Sequence, residues 1–214
     1  MKYVVTGGAG FIGSHLAECL VDWGHDVTVI DNLFSGRKEN IRHLFDNPHF
    51  HFVQGSITNP DLLEDVFRGA DGIFHQAAIP SVPRSIKDPV ATNDANVNGT
   101  LRVLVAAKEC GVKKVVYASS SSVYGDTPTL PKVEGMTPNP KSPYAVSKLA
   151  AEYYCRVFSE VYEIKTVALR YFNVFGPRQD PESKYAAVIP RFITRILSGQ
   201  PPIIYGDGTQ TRDF

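Results

Sequence analysis

Lys2-Tyr3-Val4-Val5-Thr6-Gly7-Gly8-Ala9-Gly10-Phe11-Ile12-Gly13 joins a short β-branched run to a bend with four glycines. The run reads as a strand. The segment after it, Phe11 to Trp23, sets Ile12, Leu16, Leu20 and Trp23 on one face at helical spacing. Two glycine registers fit the bend, Gly8-x-Gly10-x-x-Gly13 and the wider Gly7-x-x-Gly10-x-x-Gly13. Glycine permits a tight turn and lets backbone come close to another group, and the helix after the bend presents its unpaired N–H groups.

The alternation continues outward from this point. Strands are expected at Asp26–Ile30, Phe50–Gln54, Gly72–His75, Lys113–Ala118 and Ile164–Arg170. Between them come short helices near Lys38–Phe45 and over Pro60–Phe67, and long ones over Pro89–Cys110 and Pro143–Tyr162. The last of these starts with Ser142 as N-cap and a proline in the first turn, where a missing N–H costs little. Strands alternating with helices imply an α/β fold, a Rossmann-type doubly wound parallel sheet. After Tyr171 the pattern thins to a helix near Val188–Ser198, a short Ile203–Tyr205 strand and a turn-rich end. The expected organisation is a dinucleotide-binding domain over 1–170 and the beginning of a smaller substrate-binding region over 171–214.

Composition narrows the function classes. The 214 residues carry 22 basic and 22 acidic side chains, a balance that argues against a nucleic-acid binder. No apolar run approaches the roughly 18 residues of a membrane span, so no membrane partner is expected. Cys19, Cys110 and Cys155 are odd in number and far apart. That spacing fits buried free thiols in a reducing cytoplasm, with no metal site.

Two constellations carry chemistry. Asp31 ends the second strand, where a carboxylate accepts hydrogen bonds from both adenosine ribose hydroxyls and repels a 2′-phosphate. With no Arg or Lys near Ala9, the loop is expected to bind NAD in preference to NADP. The bland alternative is a glycine turn that only packs a helix on a strand. The second constellation is Ser119-Ser120-Ser121-Ser122-Val123-Tyr124-Gly125 beyond the fifth strand, with Tyr144 and Lys148 at i, i+4 on the following helix. A phenol with a reference pKa near about 10 is a weak base at neutral pH. A lysine cation beside it, together with a nicotinamide charge, is expected to bring it into range. The bland alternative here is a core tyrosine and a solvated lysine.

These residues resemble the extended short-chain dehydrogenase/reductase family, and within it the nucleotide-sugar 4-epimerases. The resemblance rests on Thr6–Gly13, Asp31-Asn32, His75-Gln76-Ala77-Ala78, Asp88-Pro89, Asn96-Val97-x-Gly99-Thr100, Ser119–Gly125 and Tyr144–Lys148. It continues through Leu169–Pro177 and Gly206–Phe214. It implies Ser120, Tyr144 and Lys148 as the catalytic set. It implies cofactor contacts from Gly7, Gly10, Phe11, Ile12, Gly13, Asp31, Asn32, Ser56, Ile57, Gln76, Ala77, Ala78, Asn96, Ser119, Tyr144, Lys148 and Tyr171. For a UDP-sugar it implies Ser81, Ser120, Tyr144, Asn173 and Arg212, the last two on the diphosphate. His75 reads as a structural residue lining the cofactor pocket.

The departures are informative. Ser56 stands where the family places an aspartate against adenine, and Thr92 where relatives often have tyrosine. Ser121 and Ser122 occupy positions where the family's dehydratases carry acidic residues, so dehydration, which needs an acid and a base there, is disfavoured. The implied reaction is NAD-dependent 4-epimerisation of a UDP-sugar, UDP-glucose/UDP-galactose or the N-acetyl forms, through a 4-keto intermediate. The segment Gly176–Pro181, then Tyr185–Pro190, resembles epimerases that accept N-acetylhexosamines. The alternatives are another nucleotide-sugar oxidoreductase or dehydratase of the same scaffold, and a silent NAD-binding module. A homodimer through the two long helices is also implied. Members of the family continue well past the Arg212-Asp213-Phe214 motif, so the sequence is expected to be part of a longer chain.

Overall fold

The computed structural model describes residues 1–180, 188–209 and 211. The chain divides into two compact units, Met1–Arg170 and Tyr171–Phe214. The first unit opens with β1 (Lys2–Thr6), α1 (Phe11–Asp22), β2 (Asp26–Asp31), a 3₁₀ segment over Lys38–Leu44, β3 (Phe50–Gln54) and α2 (Pro60–Phe67). It continues with β4 (Gly72–His75), α3 (Val82–Lys87), α4 (Pro89–Asn93), a π turn over Asp94–Asn98 and α5 (Gly99–Glu109). After β5 (Lys114–Ser120) come a 3₁₀ turn over Ser121–Tyr124, α6 (Pro143–Tyr162) and β6 (Lys165–Tyr171).

The six strands lie in the order β3-β2-β1-β4-β5-β6. β1 pairs in parallel with both β2 and β4, and β2–β3 and β4–β5 are parallel as well. This is the doubly wound arrangement. The chain leaves β1 in one direction for β2 and β3, then returns to its other side for β4, and the reversal opens a crevice at the carboxyl ends of β1 and β4. Strand alternation supplies two cores. Val4 and Ile30 join Leu63, Phe67, Ile73, Leu104, Ala151 and Phe158 in one, while Val5, Val27 and Val29 join Ala17, Leu20, Ile41 and Leu44 in the other.

Three expectations change. The Pro89–Cys110 helix is three segments, because the π turn at Asp94–Asn98 adds a residue to one turn and rotates α5 relative to α4. The helix near Lys38–Phe45 is a 3₁₀ segment, and α3 was not foreseen. Ser81 caps α3 by accepting from Arg84 N at 3.3 Å, with Pro83 in its first turn. In the second unit α7 covers Val188–Leu197, but Ile203–Tyr205 forms no strand. A strand exists only by pairing, and among the described residues none pairs with that segment.

Candidate active site

The bend after β1 is a cradle built by contact. A Cβ on Gly7, which has φ +71°, would lie 2.6 Å from Ala77 N, and one on Gly13 would lie 2.3 Å from Gly7 O. Gly7 N donates to Ile30 O and Gly10 N to Gly7 O, so the loop is folded back on the strand ends. Gly10 is the N-cap of α1 and supplies no side-chain acceptor, and the first turn holds no acidic residue. The N–H groups at Phe11, Ile12 and Gly13 therefore face the loop with the positive end of the helix behind them, which suits a phosphate.

Asp31 closes the other side. Its Oδ2 accepts from Ala9 N at 3.0 Å and its Oδ1 from Leu33 N at 2.8 Å. Burial pushes its carboxyl up, against the pull of those two N–H groups. Each oxygen keeps a further lone pair for a ribose hydroxyl. Gln76 Nε2 is buried and meets no acceptor among the described residues. A buried amide donor without a partner is costly, and a bound dinucleotide would relieve it. Asn32 Oδ1 caps its own loop at Phe34 N, and Ser56 Oγ accepts from Thr58 N. The Ile57 side chain is packed in the core against Gly99.

His75 sits 1% exposed at the end of β4. Burial, aided by the Lys148 charge, brings it down to about 3, so it is neutral. Its neighbours fix its tautomer. Thr100 Oγ1 donates its only proton to Asn96 O at 2.6 Å, so at 2.9 Å it must accept from His75 Nε2–H. Nδ1 is then the acceptor, 2.7 Å from Thr6 Oγ1, which itself accepts from Ala77 N. The chain runs one way, from Ala77 through Thr6, His75 and Thr100 to Asn96.

The π turn aims the Asn96 side chain inward. Its Oδ1 accepts from Ile79 N at 2.7 Å, and its Nδ2 donates to Ile79 O and to Ser147 Oγ at 3.0 Å. Ser147 Oγ in turn donates to Tyr144 O. Asn96 thus ties the loop after β4 to the residue that stands between Tyr144 and Lys148 in sequence.

Ser120 ends β5. Its Oγ accepts from Ser122 N at 3.2 Å and from Ser122 Oγ at 2.9 Å, which leaves its own proton to be given away. A hydrogen bond between Ser120 and Tyr144 draws the phenol down, but burial outweighs it and the net shift is upward. In the protein alone burial is the larger effect; the expected lowering needs the nicotinamide charge as well as Lys148. Lys148 is 3% exposed, its Nζ donating to Ala118 O at 2.8 Å and standing 5.1 Å from the Tyr117 ring centroid and 5.8 Å from that of Tyr144. Burial lowers its ammonium to about 8, so it is largely protonated at neutral pH. The solvated-lysine alternative is excluded.

One cluster was missed from sequence. Glu152, one turn beyond Lys148 on α6, accepts a hydrogen bond from Ser119 Oγ and a two-pronged contact from Arg170, Nε at 3.0 Å and Nη2 at 2.8 Å. The Arg170 guanidinium lies 4.6 Å from the Tyr124 ring centroid. The spacing 144, 148, 152 was the available signal, since it continues one helical stripe. Ser119, expected at the cofactor, spends its hydroxyl on Glu152. Tyr171 and Asn173 belong to the second unit and are partly buried there, and Arg212 lies outside the described residues.

The chain matches the model of the NAD dependent epimerase/dehydratase family over residues 3–214. It belongs to that family. The UDP-glucose 4-epimerase of Mycolicibacterium smegmatis is 43% identical to it over 217 residues, covering 100% of this chain and 69% of the relative. Among solved structures, UDP-N-acetylglucosamine 4-epimerase from Methanobrevibacter ruminantium superposes with a TM-score of 0.96 at 47% identity, over 100% of this chain and 68% of that one. UDP-glucose 4-epimerase from Thermotoga maritima gives 0.93 at 39%, over 100% and 68%. Among the described residues no cluster of His, Cys, Asp and Glu is suited to a metal, and no helix is long and apolar enough to cross a membrane.

Proposed function

We propose that the protein epimerises UDP-sugars at C4 with NAD as resident cofactor. The observation that carries this reading is the convergence of Ser120, a half-buried Tyr144 and a buried Lys148 cation with no carboxylate partner among the described residues. Gly7, Gly10, Phe11, Ile12, Gly13, Asp31, Gln76 and Lys148 would hold the dinucleotide. Bound NAD supplies reversible oxidation at the sugar C4. Tyr144, as phenolate, takes the proton of the 4-hydroxyl and later returns it. Ser120, whose lone pairs are engaged by Ser122, gives its hydroxyl proton to the sugar oxygen and holds the 4-keto intermediate. Lys148, kept cationic, favours the phenolate.

Asn173 and Arg212 are assigned the diphosphate, and Ser81 the sugar, on the resemblance alone. Ser122 is occupied in orienting Ser120, and neither Ser121 nor Ser122 carries the acidic side chain that dehydration would use at those positions. Free Cys19, Cys110 and Cys155 support a cytoplasmic reading. Val146, Tyr153, Val157 and Val161, exposed along α6, support a homodimer through the long helices.

Turnover measured on UDP-galactose, UDP-N-acetylgalactosamine and UDP-galacturonate tests the reading. Epimer should form without net NADH, and Tyr144→Phe should keep its NAD while losing about 1,000-fold or more in rate. Stoichiometric NADH, or full activity in that variant, overturns it.

A further inference from the structure

We propose that Glu152 is a positioning residue of the reaction, holding the serine end of β5 in register with the catalytic helix. The inference rests on the epimerase reading above for its kinetic arm. Glu152 follows Tyr144 and Lys148 on the same stripe of α6, so it moves with them as one rigid element. Its carboxylate reaches out of that helix to two other elements. Oε1 receives the hydroxyl of Ser119, the residue immediately before Ser120, and both oxygens receive the Arg170 fork from β6.

A planar fork on a carboxylate fixes orientation as well as distance. Arg170 is itself laid over Tyr124, in the 3₁₀ turn that also contains Ser122. Ser122 provides the two donors that set the Ser120 hydroxyl. The cluster therefore brackets Ser120 on both sides, at Ser119 through Glu152 and at Ser122–Tyr124 through Arg170. Both side chains of the ion pair are less than one-fifth exposed, so water competes little for either partner. Neither Glu152 nor Arg170 contacts the reacting atoms in this role. They set the distance between a hydroxyl on a strand end and a phenol on a helix.

The test uses Ser119→Ala, which removes only the hydroxyl that Glu152 holds, and Glu152→Gln, which keeps an acceptor of the same shape. Rate is measured per NAD-loaded site, alongside bound NAD and sugar KM. Loose positioning should lower kcat by about 10- to 100-fold, with NAD content and KM within about twofold of the parent. The double variant should lose no more than the worse single one, since both changes cut the same link. Amide hydrogen exchange is followed in parallel, where both variants should lose protection at Ser120–Tyr124 and keep it along α6 and β1. Unchanged kcat per loaded site with unchanged exchange at Ser120–Tyr124 overturns the proposal. So does an activity loss fully explained by lost NAD. If the parent forms no epimer, the reaction assignment fails, and the exchange result alone upholds or overturns the brace.

Discussion

The Thr6–His75–Thr100–Asn96 chain and the Ser119–Glu152–Arg170 cluster both reach the catalytic helix, the first through Ser147 and the second through Glu152. Only the second carries charge. The first passes position from the phosphate cradle to α6 through neutral groups, with Thr6, His75 and Thr100 each donating once in a fixed direction. The second is an ion pair closed on itself, with the Arg170 fork satisfying Glu152. Lys148 touches the edge of both. Its charge helps depress His75, and its ammonium donates to Ala118 O, one residue before Ser119. A protonated imidazole on one side would repel that ammonium, and a lone carboxylate on the other would quench it. The two designs share one consequence: among the described residues, Lys148 has no carboxylate partner, and its field remains available to the phenol and the cofactor.

Replacing Lys148 tests that consequence most severely. Burial brings the ammonium from 10.5 to about 8. The unfolded chain thus binds more protons than the fold between about pH 8 and 10.5, and stability should rise with pH across that window. At pH 7 both states are protonated and the full burial cost is present, up to roughly 3 kcal/mol. Lys148→Met should therefore lower turnover by about 1,000-fold and yet unfold at higher denaturant than the parent when NAD is absent. A Met variant less stable than the parent would mean that Lys148 is compensated after all, and the comparison collapses.

The neutral chain has a pH signature of the same sign, set in a lower window. The unfolded chain takes up the His75 proton near 6.5, the folded one only near 3. Stability should fall as pH drops through that interval, by up to roughly 5 kcal/mol. Denaturant unfolding of the parent and His75→Leu, repeated from pH 7 to 3, compares slopes, so the variant's absolute stability does not matter. The parent should show about one more proton of pH dependence than the variant. Parallel slopes would place a charged imidazole in the core.

Sequence reading found the cradle, Asp31 and the Ser120, Tyr144 and Lys148 set because each is local: a glycine spacing, a strand end, an i, i+4 pair. It did not find the contacts that join them. Glu152 and Arg170 look like ordinary surface charges on a helix and a strand, and only the fold turns them to one another across 18 positions. The π turn left no trace because Pro89 to Cys110 keeps a helical pattern on either side of one added residue. The upward shift of the Tyr144 phenol was hidden for a similar reason, since burial belongs to the packed site while the lysine beside it belongs to the sequence. Ile203–Tyr205 had the composition of a strand, but composition does not supply a neighbour.

The smallest effect probes the direction of the neutral chain. If His75 Nε2–H donates to Thr100, then Thr100→Val keeps the shape of the side chain and strands a buried donor, a loss of about 2 kcal/mol. Thr100→Ser keeps the hydroxyl and removes only a methyl group at a position 1% exposed, a loss of about 1 kcal/mol. The isosteric change should thus be the worse one, reversing the order that packing alone would set. Nitrogen-15 spectra of the imidazole should show the Nε2–H form in the parent and in the serine variant. A valine variant as stable as the parent, or an Nδ1–H imidazole, would reverse the chain. Nδ1–H would then donate to Thr6 and the Thr100 hydroxyl to Nε2, so that Asn96 O would lose the Thr100 proton.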